Sequence, residues 1–172
     1  MSAHIEHLCD TFRRRVWILR HLKAANIDKE GLTRLYQVLV LPTLDYASTV
    51  YHSLLTQEQA NTLEKLQARA LKIIFGYKSS YTELLNISGV ESLWDRRERM
   101  MDKFICKLVQ SDRFRKDWLP EKEFIHHDLR QELFFHEKFA RTDRLYKSPK
   151  YFIRRRLNEK RHVFIKSGEK EA

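Results

Sequence analysis

Apolar residues recur every three or four positions over long stretches of the chain, and this spacing is typical of amphipathic α-helices. In the first stretch these positions are Ile5, Leu8, Phe12, Val16, Leu19 and Leu22. The pattern predicts four main helices, which run from Ile5 to Ala25, from Lys29 to Leu55, from Thr56 to Phe75, and onward from Ser92.

Residues that favour helix ends lie at the predicted boundaries. Asp28 and Ser92 are expected N-caps. Thr56 and Gln59 have the spacing of a capping box, and Gly76 is suited to end the third helix. These positions strengthen the helical interpretation.

The second predicted helix is apolar on most sides, so we expect it to be central and buried. Pro42 should kink it, because the ring removes a backbone donor and clashes with the preceding turn. Two strands around a proline turn are the alternative, although β-branched residues are few here.

The helical pattern weakens beyond Asp112. Short helical turns are expected at Tyr81–Leu85 and Tyr151–Arg161, and a helix is possible over Glu121–Arg144 before Ser148-Pro149. We predict an all-α fold with about four main helices and a basic, partly irregular C-terminal tail. The predicted domains are a helical bundle at 1–111 and a basic segment at 112–172.

Composition changes the picture mainly through charge. The chain has 172 residues, with 33 Lys and Arg against 23 Asp and Glu, a net charge of +10. Residues 138–166 alone carry 11 basic and 2 acidic residues, a net of +9. A surplus of this size favours an anionic partner, most often nucleic acid or a membrane surface, and its focus in one stretch favours a binding face.

Aromatic residues are interleaved with the charges of this basic stretch, among them Phe139, Tyr146, Tyr151, Phe152 and Phe164. Lysine and arginine neutralise phosphates, and aromatic rings stack on unpaired bases. The alternative is that the rings dock the tail on the helical core while the charges are solvated. The predicted nucleic-acid contacts in the tail are Arg141, Arg144, Lys147, Lys150, Arg154, Arg155 and Arg156.

Motifs for chemistry are weak or absent in the sequence. It has no glycine-rich phosphate loop, no Asp-Asp pair for two-metal catalysis and no zinc-ligand spacing, so we predict no catalytic residues, no metal and no cofactor. Asp45 is expected to pair with Arg96 or Arg97 of another helix. No stretch predicts a membrane span or signal peptide, which indicates an intracellular protein of nucleus or cytoplasm.

Four groups of residues recur in a recognisable order and spacing. They are Leu35-Tyr36 with Pro42-x-Leu44-Asp45-Tyr46-Ala47, the stretch Leu63–Ile74, Leu93-x-x-Arg96-Arg97, and Ala140–Pro149. Together they resemble the C-terminal part of reverse transcriptases from jockey-like non-LTR retrotransposons. The resemblance extends from about Phe12 to Asn158 and rests on order and spacing rather than on one diagnostic motif.

The resemblance implies a helical thumb and the segment after it, without the palm that carries the catalytic aspartates. A thumb packs against template–primer duplex, so Arg69, Lys72, Arg96 and Arg97 would contact nucleic acid, whether RNA, DNA or a hybrid. Polymerisation would need a separate palm as partner. Tyr51 departs from the family, which usually has a tryptophan at that position.

Two alternatives to nucleic-acid binding stay open from the sequence. One is a protein-interaction module, which an uncovered apolar face on the second helix would favour. The other is a remnant of a degraded mobile element with no function of its own. The sequence does not determine the oligomeric state.

Overall fold

A computed structural model describes residues 2–119, 135 and 139–160 of the protein. The regular elements over these residues are helical, which confirms the all-α prediction. The α-helices are α1 (Ser2–Ala24), α2 (Lys29–Leu35), α3 (Leu41–Asp45), α4 (Ser48–Tyr51), α5 (Gln57–Phe75), α6 (Tyr81–Ser88), α7 (Leu93–Gln110), α8 (Asp112–Trp118), α9 (Asp143–Tyr146) and α10 (Pro149–Glu159).

The second predicted helix is not continuous. After α2 the chain widens into a π-helical turn at Tyr36–Val40, immediately before Pro42. The proline ring explains this position, because an α-helical turn there would place the ring against the carbonyl four residues earlier. A second break follows at Ala47, whose φ of 54° is left-handed, and a 3₁₀ turn at His52–Leu54 precedes α5.

Tyr51 closes this broken segment. Its side chain is buried, and its hydroxyl donates a hydrogen bond to the carbonyl of Leu44 across the break at Ala47. The residue that departs from the resemblance is thus a core residue with a defined partner.

The predicted helix ends are confirmed where the structure describes them. The side chain of Asp28 accepts from the backbone of α2, and Thr56 with Gln59 forms a complete capping box at the start of α5. Ser92 accepts from the backbone N–H of Asp95 at 3.1 Å. Gly76 ends α5 with a φ of 118°, a value that favours glycine.

Contacts divide the chain into two compact units, residues 1–99 and 100–172, whose boundary lies inside α7. The domain division at 111–112 stays a prediction. The core of the first unit is drawn from α1 through the start of α7, with Phe12, Tyr36 and Leu63 almost fully buried. The core of the second unit includes Met101 and Ile153. The predicted bundle of about four main helices is not confirmed by this arrangement.

The basic tail is more regular than predicted near its end. Pro149 begins α10, and the helix continues for three turns, since proline at the first helical position costs no hydrogen bond. The predicted helix Glu121–Arg144 lies largely outside the described residues. None of the described helices is long and apolar enough to cross a bilayer.

Candidate nucleic-acid interface

Two predicted contacts, Arg69 and Lys72, lie on α5. The apolar stripe of this helix faces the core of the first unit, which turns its basic residues outward. Arg69 is exposed and Lys72 is half-buried. Both cations remain accessible to an anionic ligand.

Arg96, on the first turn of α7, is held by Asp45. Its Nε lies 2.9 and 3.1 Å from the two carboxylate oxygens, and its terminal nitrogen lies 2.8 Å from Oδ2. The hydrogen bonds to Asp45 raise the pKa of Arg96. The predicted pairing of Asp45 with Arg96 is confirmed, and the carboxylate neutralises much of the charge that this arginine would offer to a phosphate.

Arg97 is removed from the predicted interface. Its side chain is only 1 % exposed, because it shares with Leu93 the face of α7 that enters the core. Its ion-pair partner is Glu64 of α5, at 3.8 Å. A guanidinium buried in this way cannot reach a nucleic-acid backbone, so the assignment is corrected to a structural role.

Arg154 and Arg156 are also corrected, since they are 3 % and 7 % exposed. Arg154 donates through Nε to the carbonyl of Trp118 at 2.7 Å, and burial lowers its pKa. Arg156 lies 2.5 Å from a carboxylate oxygen of Asp102. Both side chains are thus buried within the second unit, against Trp118 and Asp102.

Four of the predicted tail residues form what we call the tail cation row: Arg141, Arg144, Lys147 and Lys150. The first three side chains are exposed and Lys150 is half-buried. Asp143 lies within the row and pairs with Lys147 at 2.8 Å. The row therefore retains a net charge of +3 on accessible side chains.

The aromatic residues of the tail are partly engaged within the protein. The guanidinium of Arg155 lies 3.6 Å from the ring centre of Tyr146, and Arg156 lies over Phe152 at 5.8 Å. Phe139 is 87 % exposed. Cation–π contacts within the tail thus account for part of the interleaving, while Phe164 lies outside the described residues.

A second cationic surface was not predicted as a site. It joins residues 11–24 of α1, with five basic and no acidic residues, to residues 65–75 of α5, with three basic and no acidic residues. Arg13, Trp17, Arg20 and Arg69 lie along the groove between the two helices. Searching the sequence for basic stretches without acidic residues would have identified the α1 and α5 segments. Only the packing of the two helices shows that they form one surface.

Metal binding has no candidate group of three or more His, Cys, Asp or Glu residues in the part of the chain that the structure describes. No protein-family model, curated protein or solved structure matches the chain. The resemblance to reverse transcriptases therefore stays a prediction from the residues that carry it.

Proposed function

We propose that this protein binds nucleic acid without sequence preference, in the manner of the non-catalytic end of a retrotransposon reverse transcriptase. The observation that carries the proposal is the tail cation row. Its accessible cationic side chains belong to the segment in which the sequence concentrates its basic residues. The proposed partner is RNA, DNA or their hybrid. Synthesis of a strand would belong to a separate palm.

The chemistry of the row suits a phosphate backbone. Its four cations are on long flexible side chains that can follow a polyanion, and each phosphate that they neutralise releases condensed counterions. Contacts of this kind do not distinguish bases, which is why we expect affinity to be independent of sequence.

The test compares two variants that lose the same charge. In the first, the four residues of the tail cation row are replaced by glutamine. In the control, four exposed basic residues of α7 and α8 are replaced by glutamine: Lys103, Lys107, Arg113 and Lys116. Binding of a labelled RNA–DNA hybrid is followed by fluorescence anisotropy.

We expect the row variant to bind about tenfold or more weakly, since several phosphate contacts are lost, and the control to bind within about twofold of the wild type. Equal weakening by both variants would show that net charge, not the row, attracts the ligand. If the wild type does not bind at low salt, the proposed function is rejected.

A second candidate function, the protein-interaction module, is favoured by apolar residues left uncovered on the broken segment. Val38, Tyr46 and Val50 are 69, 73 and 57 % exposed. Exposed apolar area of this kind is typical of docking surfaces. The resemblance suggests a polymerase palm as its occupant, and self-association is the competing outcome.

Light scattering coupled to size exclusion tests this candidate. Val38→Lys with Val50→Lys should convert a self-associating sample to a monomer if the uncovered residues meet a second copy. A wild type that is strictly monomeric at about 100 μM rules out the second copy and leaves capture by a purified palm domain as the deciding measurement.

A further inference from the structure

The groove between α1 and α5 combines three kinds of surface. Its floor is apolar, formed by the buried side chains of Phe12, Val16 and Leu66. One wall includes the indole of Trp17, which is 59 % exposed although it borders the core. Three arginines, Arg13, Arg20 and Arg69, complete its lining.

Packing holds this groove in shape. Lys23, at the end of α1, donates to the carbonyl of Ile73 and lies 3.4 Å from that of Ile74, so it ties the end of α1 to the last turn of α5. His21 lies against Trp17, with ring centroids 3.7 Å apart. The indole is thus positioned before any ligand arrives, which reduces the entropy lost on binding.

The charged residues that line the groove are all basic. Asp10 is the acid nearest in sequence to the arginines, and it pairs with Arg13 at 2.7 Å. Arg20 and Arg69 are exposed. No acid lies within seven residues of Arg20 or within four residues of Arg69 along the sequence. Neither Arg20 nor Arg69 forms an ion pair with a residue that the structure describes, so an anionic ligand would meet both arginines beside an aromatic ring.

We propose that this α1–α5 groove binds an unpaired nucleotide of a single strand, with its base against Trp17 and its phosphates on Arg20 and Arg69. The inference rests on the proposed function and names a second, separate site for it. Base stacking on an exposed aromatic ring and phosphate contact by arginine are the two interactions that single-strand sites combine. An apolar floor with an exposed indole gives such a base a place to lie.

Competing ligands fit the groove less well. The bases of a duplex are stacked on one another, so their faces cannot reach Trp17. An acidic peptide would neutralise the arginines but would leave the indole and the apolar floor without an aromatic partner. The groove therefore selects for an exposed base attached to phosphate.

The experiment uses the full chain and a thymidine dodecamer, with binding measured by anisotropy and stacking by tryptophan emission. We expect the dodecamer to quench the tryptophan emission of the wild type. Trp17→Phe should lose that quenching but bind the dodecamer with an affinity within about threefold of the wild type. Trp17→Ala should weaken binding about tenfold. The matched control is Tyr77→Ala, which removes an exposed aromatic ring outside the groove and should leave affinity unchanged.

The charge arm replaces Arg20 and Arg69 together by glutamine. Its control replaces Arg14 and Lys65, which are exposed on the same two helices but do not line the groove. We expect the first pair to weaken dodecamer binding about tenfold and the second to change it by less than about threefold.

The outcomes separate the two proposals. If the protein binds neither the dodecamer nor the hybrid, the proposed function is rejected. Binding that survives in Trp17→Ala and in the Arg20 and Arg69 double variant overturns the groove alone. Equal weakening of a blunt duplex by Trp17→Ala overturns the requirement for an unpaired base, and quenching by polyglutamate without quenching by the dodecamer identifies an acidic-peptide site instead.

Discussion

Glu64 serves several neighbours at once. Its carboxylate accepts from the hydroxyl of Tyr81 at 2.5 Å and from the backbone N–H groups of Trp94 at 2.7 Å and Leu93 at 3.3 Å. The latter two belong to the start of α7, where a negative charge is favourable. The same carboxylate lies 3.8 Å from the buried guanidinium of Arg97. One side chain of α5 therefore stabilises both the beginning of α7 and the buried charge on it.

Glu64→Gln tests this role. The variant keeps the shape and an acceptor oxygen but leaves Arg97 without its countercharge, so the free energy of unfolding should fall by about 2–3 kcal/mol. Glu58→Gln, an exposed position on the same helix, is the control and should change stability by less than about 0.5 kcal/mol. Urea unfolding measures both, and similar losses would contradict the role.

Tyr81 predicts a pH dependence at the residue scale. Burial and the hydrogen bond to Glu64 raise the pKa of Tyr81 far above the ordinary value of 10.0. In the unfolded chain the tyrosine ionises near pH 10, whereas in the folded protein it keeps its proton. Its contribution to stability is therefore complete below pH 10 and is lost as the pH rises beyond that value.

The comparison is between wild type and Tyr81→Phe. From pH 9.5 to 11 the unfolding free energy of the wild type should fall more steeply, by up to about 1.4 kcal/mol per pH unit from this group. Tyr77→Phe, at an exposed position, should follow the wild type. Identical slopes for wild type and Tyr81→Phe would show that Tyr81 is not the group responsible.

At the scale of an element, the broken second helix contains a strained joint. Ala47 adopts a left-handed backbone conformation between α3 and α4, with a φ of 54°. For a residue with a Cβ this conformation costs about 1 kcal/mol. The joint lets the buried residues of α3 and α4 both reach the core.

Ala47→Gly should therefore stabilise the protein by about 0.5 kcal/mol, because glycine relieves the strain but also makes the unfolded chain more flexible. Ala68→Gly, in the middle of α5, should destabilise it by about 1 kcal/mol. Thermal unfolding measures the change in stability for both variants. A gain at Ala47 and a loss at Ala68 from the same substitution would identify backbone strain at Ala47. A loss at both positions would show that the joint is relaxed.

At the scale of the whole molecule, the net charge of +10 predicts binding that depends strongly on salt. The logarithm of the association constant should fall linearly with the logarithm of salt concentration, by about 0.9 per phosphate neutralised on duplex DNA. Removal of the tail cation row should reduce that slope by about 3. Affinity for nucleic acid should fall markedly between about 50 and 200 mM salt, because screening increases over that range. Affinity that stays constant there would contradict binding through phosphate contacts.

Local signals determined the elements that the sequence predicted well. The cap residues, the apolar spacing of α1, α5 and α7, and the glycine after α5 act within a few residues, so their effect can be recognised without a fold. The pairing of Asp45 with Arg96 was also within reach, because a lone acid on an apolar helix needs a partner. A kink at Pro42 was predicted as well, because the ring removes a backbone donor. The π-helical form of that kink and the left-handed break at Ala47 were not predicted, since their geometry depends on what the flanking turns pack against.

Burial of charge could not be predicted from the sequence. Arg97, Arg154 and Arg156 belong to basic clusters in which the sequence does not distinguish buried from exposed members. In the structure all three are buried. Arg97 pairs with Glu64, Arg154 donates to the carbonyl of Trp118, and Arg156 pairs with Asp102. The sequence alone determined that the protein is helical and cationic, because apolar spacing is a local pattern and net charge is a sum over residues. Only the tertiary structure showed which cations stay at the surface and that Trp17 and Arg69 line one groove, because long-range packing determines the face that each helix buries.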